Sequence, residues 1–214
     1  MTDVPRVSAP RLAPPHLPGW TKAVILVCCA VELLLMAAPV LGFAQGRVTS
    51  SLLGGFWSPL MWGATGIYPA QGVAMFVTYG FLHAGLLHLA MNMISLAAIA
   101  RELNRMIGAR AMALSYVLSQ IAGGVAFAAM LPTGGPMIGA SGAVFGLAGT
   151  LVGYAAINLR LRGRSMTPLL RSVGMILALN IGLTLLMPQI AWEAHLGGAL
   201  MGTVIGAALA FRRR

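Results

Sequence analysis

A chain of 214 residues with 58% apolar and only 8% charged side chains is far too hydrophobic for a soluble domain, and reads as an integral membrane protein. Its net charge of +10, from 14 basic and 4 acidic residues, does not mark a nucleic-acid-binding face. The cations sit in short clusters between apolar runs, as membrane topology requires.

Residues 1–20 carry Pro5, Pro10, Pro14, Pro15 and Pro18 among scattered polar groups, which removes helix donors and leaves little to bury; a short disordered cytoplasmic tail is expected. The run from Ala23 to Phe43 is long enough to span a bilayer. Gly42-Phe43-Ala44 could pass for a signal cleavage site, but the long neutral leader and Glu32 in mid-run favour a retained first helix. Glu32 is either a proton-relay carboxylate or, more in keeping with the cost of a buried charge, protonated or bonded to a neighbouring helix. Cys28 and Cys29 lie adjacent in the same run, where a mutual disulfide would be strained and a zinc pair would need intervening residues.

From Gln45 to about Phe81 the pattern breaks, with Gly46, Gly54, Gly55, Pro59, Gly63, Gly66, Pro69 and Gly72 interrupting aromatic and aliphatic residues. Too apolar for a solvated loop and too broken for a spanning helix, this stretch is expected to be a partly embedded loop, with Trp57, Trp62 and Tyr68 at headgroup level. Spanning segments follow at roughly 82–100, 111–131, 140–159, 168–187 and 192–211, which with the first helix makes six in an all-α membrane domain over 21–214. Thirteen of the fourteen basic residues fall on one side of this arrangement and only Arg47 on the other, so both termini are expected in the cytoplasm.

Depth can be estimated from the cytoplasmic arginines at about 1.5 Å per helical residue: Ser141 and His195 come out at about 28 and 25 Å, and His83, His88 and Asn92 at about 27, 20 and 14 Å. A serine, histidines and an amide from three helices thus converge on the outer half of the bilayer, where an unpaired ionisable group is expensive. His88 and Asn92, four apart, share a helix face; His83 falls at the loop junction above. On the fourth helix Gly142, Gly146, Gly149 and Gly153 form a stripe, and on the sixth Gly198, Gly202 and Gly206 continue the face begun by His195. Such stripes let backbones approach closely, here bringing the Ser141 hydroxyl toward an imidazole.

A serine hydroxyl is a weak nucleophile until a base within hydrogen-bond reach takes its proton, and histidine suits that role near neutral pH. Glu193, two residues before His195, points elsewhere on a helix, so a dyad is expected rather than a triad. The backbone N–H of Ser141 at a helix start, with Asn92 and His88, could supply oxyanion donors.

His83-x4-His88-x3-Asn92, then Gly139-Ala140-Ser141-Gly142, then Ala194-His195-x2-Gly198-x3-Gly202, in that order on six helices, resemble the signatures of the rhomboid family of intramembrane serine proteases. The resemblance implies a six-helix rhomboid-like bundle with an embedded first extracellular loop. Ser141 would be the nucleophile, His195 the general base, and His88 and Asn92 oxyanion donors, with His83 and Gly139 helping to position substrate. Phe145 stands where many members carry a tyrosine stacked on the histidine. Glu102 and Gly108 match structural positions of the family. The Trp-Arg pair that many members carry in the first loop is not evident; the corresponding stretch reads Ala74-Met75-Phe76-Val77-Thr78. The implied substrates are single-span membrane proteins, in the lipid bilayer of a bacterial cytoplasmic membrane, with no cofactor, metal or nucleic acid. Rival readings are a zinc site from His83, His88, His195 and Glu193, which lacks an HExxH motif; a non-catalytic rhomboid-like helix binder, which normally lacks the serine or histidine; and a transporter, for which repeat symmetry is missing.

Overall fold

The computed structural model describes residues 16–186 and 190–212, so most of the expected N-terminal tail lies outside the described residues. Among the described residues the chain is helical, with an isolated bridge between Phe56 and Met137 and no strand. Six helices are long: α1 (Gly19–Ala37), α5 (Leu86–Ile107), α6 (Ala109–Met130), α7 (Ser141–Leu161), α8 (Thr167–Leu186) and α9 (Trp192–Arg212). All but α8 are long and apolar enough as whole helices to cross a membrane. The 20 residues of α8 also match a bilayer core of about 30 Å. Large apolar side chains such as Leu26, Ile94, Met175, Leu200 and Val204 are exposed, as expected for surfaces that meet lipid.

Backbone punctuation sets the helix limits. Pro18 caps α1, whose first residues fall within the expected tail: Leu17 packs on the core, and the Trp20 indole N–H donates to the Ala109 carbonyl at 3.2 Å. The second long helix also departs from the expected 82–100. It starts only after Gly85 (φ +99°) and runs on to Ile107, so Arg101 and Arg105 belong to its last turns, and Gly108 (φ +83°) alone separates it from α6. Left-handed φ at both ends favours glycine, which explains the sharp limits. Glu102 pairs with Arg105 on this last turn.

The stretch 45–81 is better organised than a loop. It forms α2 (Gly46–Gly54), α3 (Ser58–Met61) and α4 (Gln71–Thr78), followed by a 3-10 turn over Tyr79–Phe81. Gly55 and Pro69 fall at the breaks between these helices, and Pro59 lies in the first turn of α3. Two buried clusters result. One joins Cys28 of α1 with Leu89, Met93, Leu96, Ala100 and Leu103 of α5 and Val144 and Leu147 of α7; the other gathers Phe56, Met75, Tyr79, Phe127 and Met137 under the short helices.

Among the described residues, the seam between α7 and α9 is the tightest. A Cβ placed on Gly198, Gly202 or Gly206 would overlap the backbone carbonyl of Gly142, Gly146 or Thr150 respectively, and one on Gly149 or Gly153 would overlap the carbonyls of Ala199 or Thr203. Backbone therefore lies directly on backbone, as the glycine stripes predict. Beside it, the buried hydroxyls of Ser115 on α6 and Thr150 on α7 bond to each other, and Thr150 also donates to the Gly146 carbonyl at 2.9 Å.

Candidate active site

Ser141 opens α7 and His195 lies in the first turn of α9, both at the helix ends remote from Arg160 and Arg212. The seam that brings Gly142 against Gly198 brings the Ser141 Oγ to 2.8 Å from His195 Nε2, a hydrogen-bond distance. The Phe145 ring, one turn further along α7, stacks on the imidazole with centroids 4.3 Å apart and planes at 8°. Imidazole position is thus set by a hydroxyl on one side and a phenyl face on the other. The chemistry available to such a pair is transfer of the hydroxyl proton to a nitrogen already in contact with it. Glu193 is buried in the same first turn of α9.

The segment before Ser141 is held by the short helices. Phe56 and Met137 exchange both backbone hydrogen bonds, at 2.8 and 2.9 Å, the Ser58 N–H donates to the Gly134 carbonyl, and the Gly139 N–H donates to the Tyr79 carbonyl at 2.9 Å. Tyr79 is itself fastened to α6, its hydroxyl donating to the Gln120 carbonyl at 2.7 Å. Sequence reasoning missed Tyr79 and Phe56, which act through backbone groups and so carry no residue-type signal beyond apolarity.

Gly139 has φ +127°, in the range that excludes most side chains. A Cβ there would stand 3.0 Å from His88 Nε2 and 3.8 Å from Ser141 Oγ. The space beside Gly139 therefore lies between these two groups, and the absent side chain keeps it open. Since the Gly139 N–H is committed to Tyr79, its contribution is this opening and not a hydrogen bond. Donors can come instead from the first turn of α7, whose N–H groups have no partner within the helix, and from His88. The Ala84 N–H donates to His88 Nδ1 at 3.2 Å, so Nδ1 is the bare nitrogen and, in the neutral ring, Nε2 carries the proton toward Gly139.

Asn92 is buried one turn below, but its amide nitrogen donates to the His88 carbonyl at 3.0 Å within its own helix. Sequence spacing brings it to the same helix face as His88, and this back-bond uses one of the two N–H donors of its amide. His83 lies on the segment between Phe81 and Leu86, fully buried, with its ring edge-on to His88 at 5.2 Å. Glu32, expected to be protonated or bonded to a neighbouring helix, is ion-paired with Arg47 of α2 through both carboxylate oxygens, at 2.7 and 3.1 Å. Glu32 is fully buried, and leaving such a carboxylate unpaired costs about 3–5 kcal/mol. The same hydrogen bond pushes the Arg47 pKa above its ordinary value.

A helical membrane protein with a serine and a histidine in contact at adjoining helix ends, beside a glycine whose missing side chain leaves space next to them, defines the class. Residues 70–212 match the family model of the Rhomboid domain, and the chain belongs to the rhomboid family. It is 35% identical over 132 residues to RHOMBOID-like protein 4 of Arabidopsis thaliana, covering 62% of this chain and 33% of that one. It is 34% identical over 132 residues to Rhomboid protease GluP of Bacillus subtilis (strain 168), covering 60% and 24%, and 35% identical over 137 residues to Rhomboid protein 1, mitochondrial, of Saccharomyces cerevisiae, covering 59% and 39%. The chain thus spans well under half the length of these relatives.

Proposed function

We propose that this protein is an intramembrane serine endopeptidase that cuts single-span membrane helices near the outer membrane face by a Ser141/His195 dyad. The observation that carries the reading is the 2.8 Å contact between Ser141 Oγ and His195 Nε2. Similarity to a relative named a rhomboid protease supports it. In the first step the Oγ–H proton passes to His195 Nε2 while Oγ bonds to the scissile carbonyl carbon. The resulting oxyanion is met by N–H groups of the first turn of α7 and by the His88 Nε2–H across the space beside Gly139. The imidazolium then returns its proton to the leaving amine, and water hydrolyses the acyl-serine by the same base. Phe145 keeps the ring in plane throughout. Asn92 and His83 serve to position substrate or donor, and the domain responsible spans 21–214, with both termini in the cytoplasm of a bacterial cell.

A peptide bond inside a helix is shielded, so attack requires local unwinding. Helices weakened by Gly or Pro open at lower cost, by about 1 kcal/mol for Gly relative to Ala and more for Pro. The preferred substrate has a small residue before the scissile bond, to fit beside Gly139, Ala140 and Gly142, and a helix-weakening residue just after it. The test is incubation of the full chain in phosphatidylethanolamine/phosphatidylglycerol vesicles with a single-span helix carrying Ala-Gly in its outer third. Cleavage by the wild type and none by Ser141→Ala or His195→Ala is expected, the double variant being no worse than either single one because the two act as a unit. Undiminished cleavage by Ser141→Ala would end this reading.

A further inference from the structure

We infer that Arg47, clamped by Glu32, positions His88 by anchoring the peptide group between His83 and Ala84; the inference rests on the dyad reading above and adds a residue that acts through another. Two bonds meet on that one peptide. Its carbonyl, that of His83, accepts from Arg47 Nη1 at 2.7 Å, and its N–H, that of Ala84, donates to His88 Nδ1 at 3.2 Å. A peptide group is planar, so fixing the direction of its C=O fixes the direction of its N–H. The guanidinium thereby sets which way the donor faces, and the donor sets both the ring orientation of His88 and the nitrogen that keeps the proton.

The peptide needs such an anchor because it lies outside any helix. It sits between the 3-10 turn ending at Phe81 and the start of α5 at Leu86, next to Gly85 with φ +99°. Backbone here has no ladder of helical hydrogen bonds to hold it. Arg47 reaches it from α2, and its own place is fixed by the two-oxygen contact with Glu32 on α1. A guanidinium suits the task, since its fork can serve a carboxylate and a carbonyl together, as a compact ammonium does less well. The His83 ring, edge-on to His88, closes the remaining side. Three elements, α1, α2 and α5, thus bear on one imidazole that faces the space beside Ser141. A charge pair that only tied α1 to α2 would not need the third bond to the His83 carbonyl.

The experiment is a double-mutant cycle on cleavage of the single-span test helix by the full chain in vesicles, with thermal unfolding followed in parallel. Because Arg47→Met alone strands a buried carboxylate, the variant used is Glu32→Gln with Arg47→Met, which removes both charges. Loss of a well-aimed oxyanion donor lowers turnover strongly, and its mere misalignment should lower kcat by about 10- to 100-fold with KM unchanged. In the His88→Ala background the same pair of changes should lower kcat no further, and Arg47→Lys, which keeps a charged donor, should recover part of the loss. An equal fractional loss with and without His88, or a change confined to KM or to unfolding temperature, would overturn the inference while leaving the dyad intact. Cleavage by Ser141→Ala as fast as by the wild type would instead overturn the parent reading, and this one with it.

Discussion

Two regions of this molecule hold groups near the space beside Gly139 by opposite means. At the seam of α7 and α9, carbonyls of one helix lie on glycines of the other, and the Ser141–His195 contact follows from backbone geometry. At the corner of α1, α2 and α5, helices are joined by long side chains, and His88 is held through a carboxylate, a guanidinium and a single peptide. Backbone contact leaves no freedom to adjust but tolerates no added atom. A side-chain relay tolerates substitution yet loses alignment when any one link is shortened. The dyad should therefore fail abruptly on small steric insults, and the donors should fail by degrees.

The largest effect expected from that contrast is at Gly202. Gly202→Val forces the helices apart at the Gly146 carbonyl, and overpacking of this kind costs about 1–3 kcal/mol or more. Cleavage should fall below detection while the chain still inserts, whereas Gly174→Val on α8, where a Cβ meets nothing within 4 Å, should leave rate and unfolding temperature nearly unchanged. Similar losses at both glycines would remove the distinction between seam and periphery.

A smaller effect is expected among the donors. His88→Ala should lower kcat by about 100- to 1000-fold, as for loss of one oxyanion donor. Asn92, whose amide already serves the His88 carbonyl, should matter by about tenfold on replacement by Ala, the worth of one neutral hydrogen bond. A steady-state series with kcat and KM separated decides this; Asn92→Ala as severe as His88→Ala would mean that the second N–H of the Asn92 amide meets the oxyanion directly.

The smallest effect concerns the stack on the imidazole. Phe145→Ala should reduce kcat severalfold, since an aromatic pair contributes about 0.5–1.5 kcal/mol beyond its area, and Phe145→Tyr should be close to neutral. A large loss in Phe145→Tyr would show that the added hydroxyl competes with Ser141 for the histidine.

The same contrast explains what could be seen in the sequence. The seam was legible because helical periodicity turns Gly142, Gly146, Gly149 and Gly153 into a stripe, and because depth counting brings Ser141 and His195 to one level. Phe145 was legible only through the resemblance to the rhomboid family, many of whose members carry an aromatic ring at that position. The corner was not, since the Arg47 and Glu32 side chains meet across a break in the backbone that has no period. The signal that existed was compositional: one carboxylate in the first span and one cation on the outer side, each in need of a partner. Likewise the extension of α5 through Arg101 and Arg105 was hidden, because charge marks the membrane boundary and not the end of the helix. Helices α2, α3 and α4 were obscured by the Gly and Pro residues that separate them.

The central claim is that His195 activates Ser141 across their contact. It is tested most directly by exposing the full chain in vesicles to a serine-reactive fluorophosphonate and mapping the adduct by mass spectrometry. The account predicts modification at Ser141 that disappears in His195→Ala and persists, more slowly, in His88→Ala. An adduct on another serine, or equal labelling of Ser141 with and without His195, would contradict it.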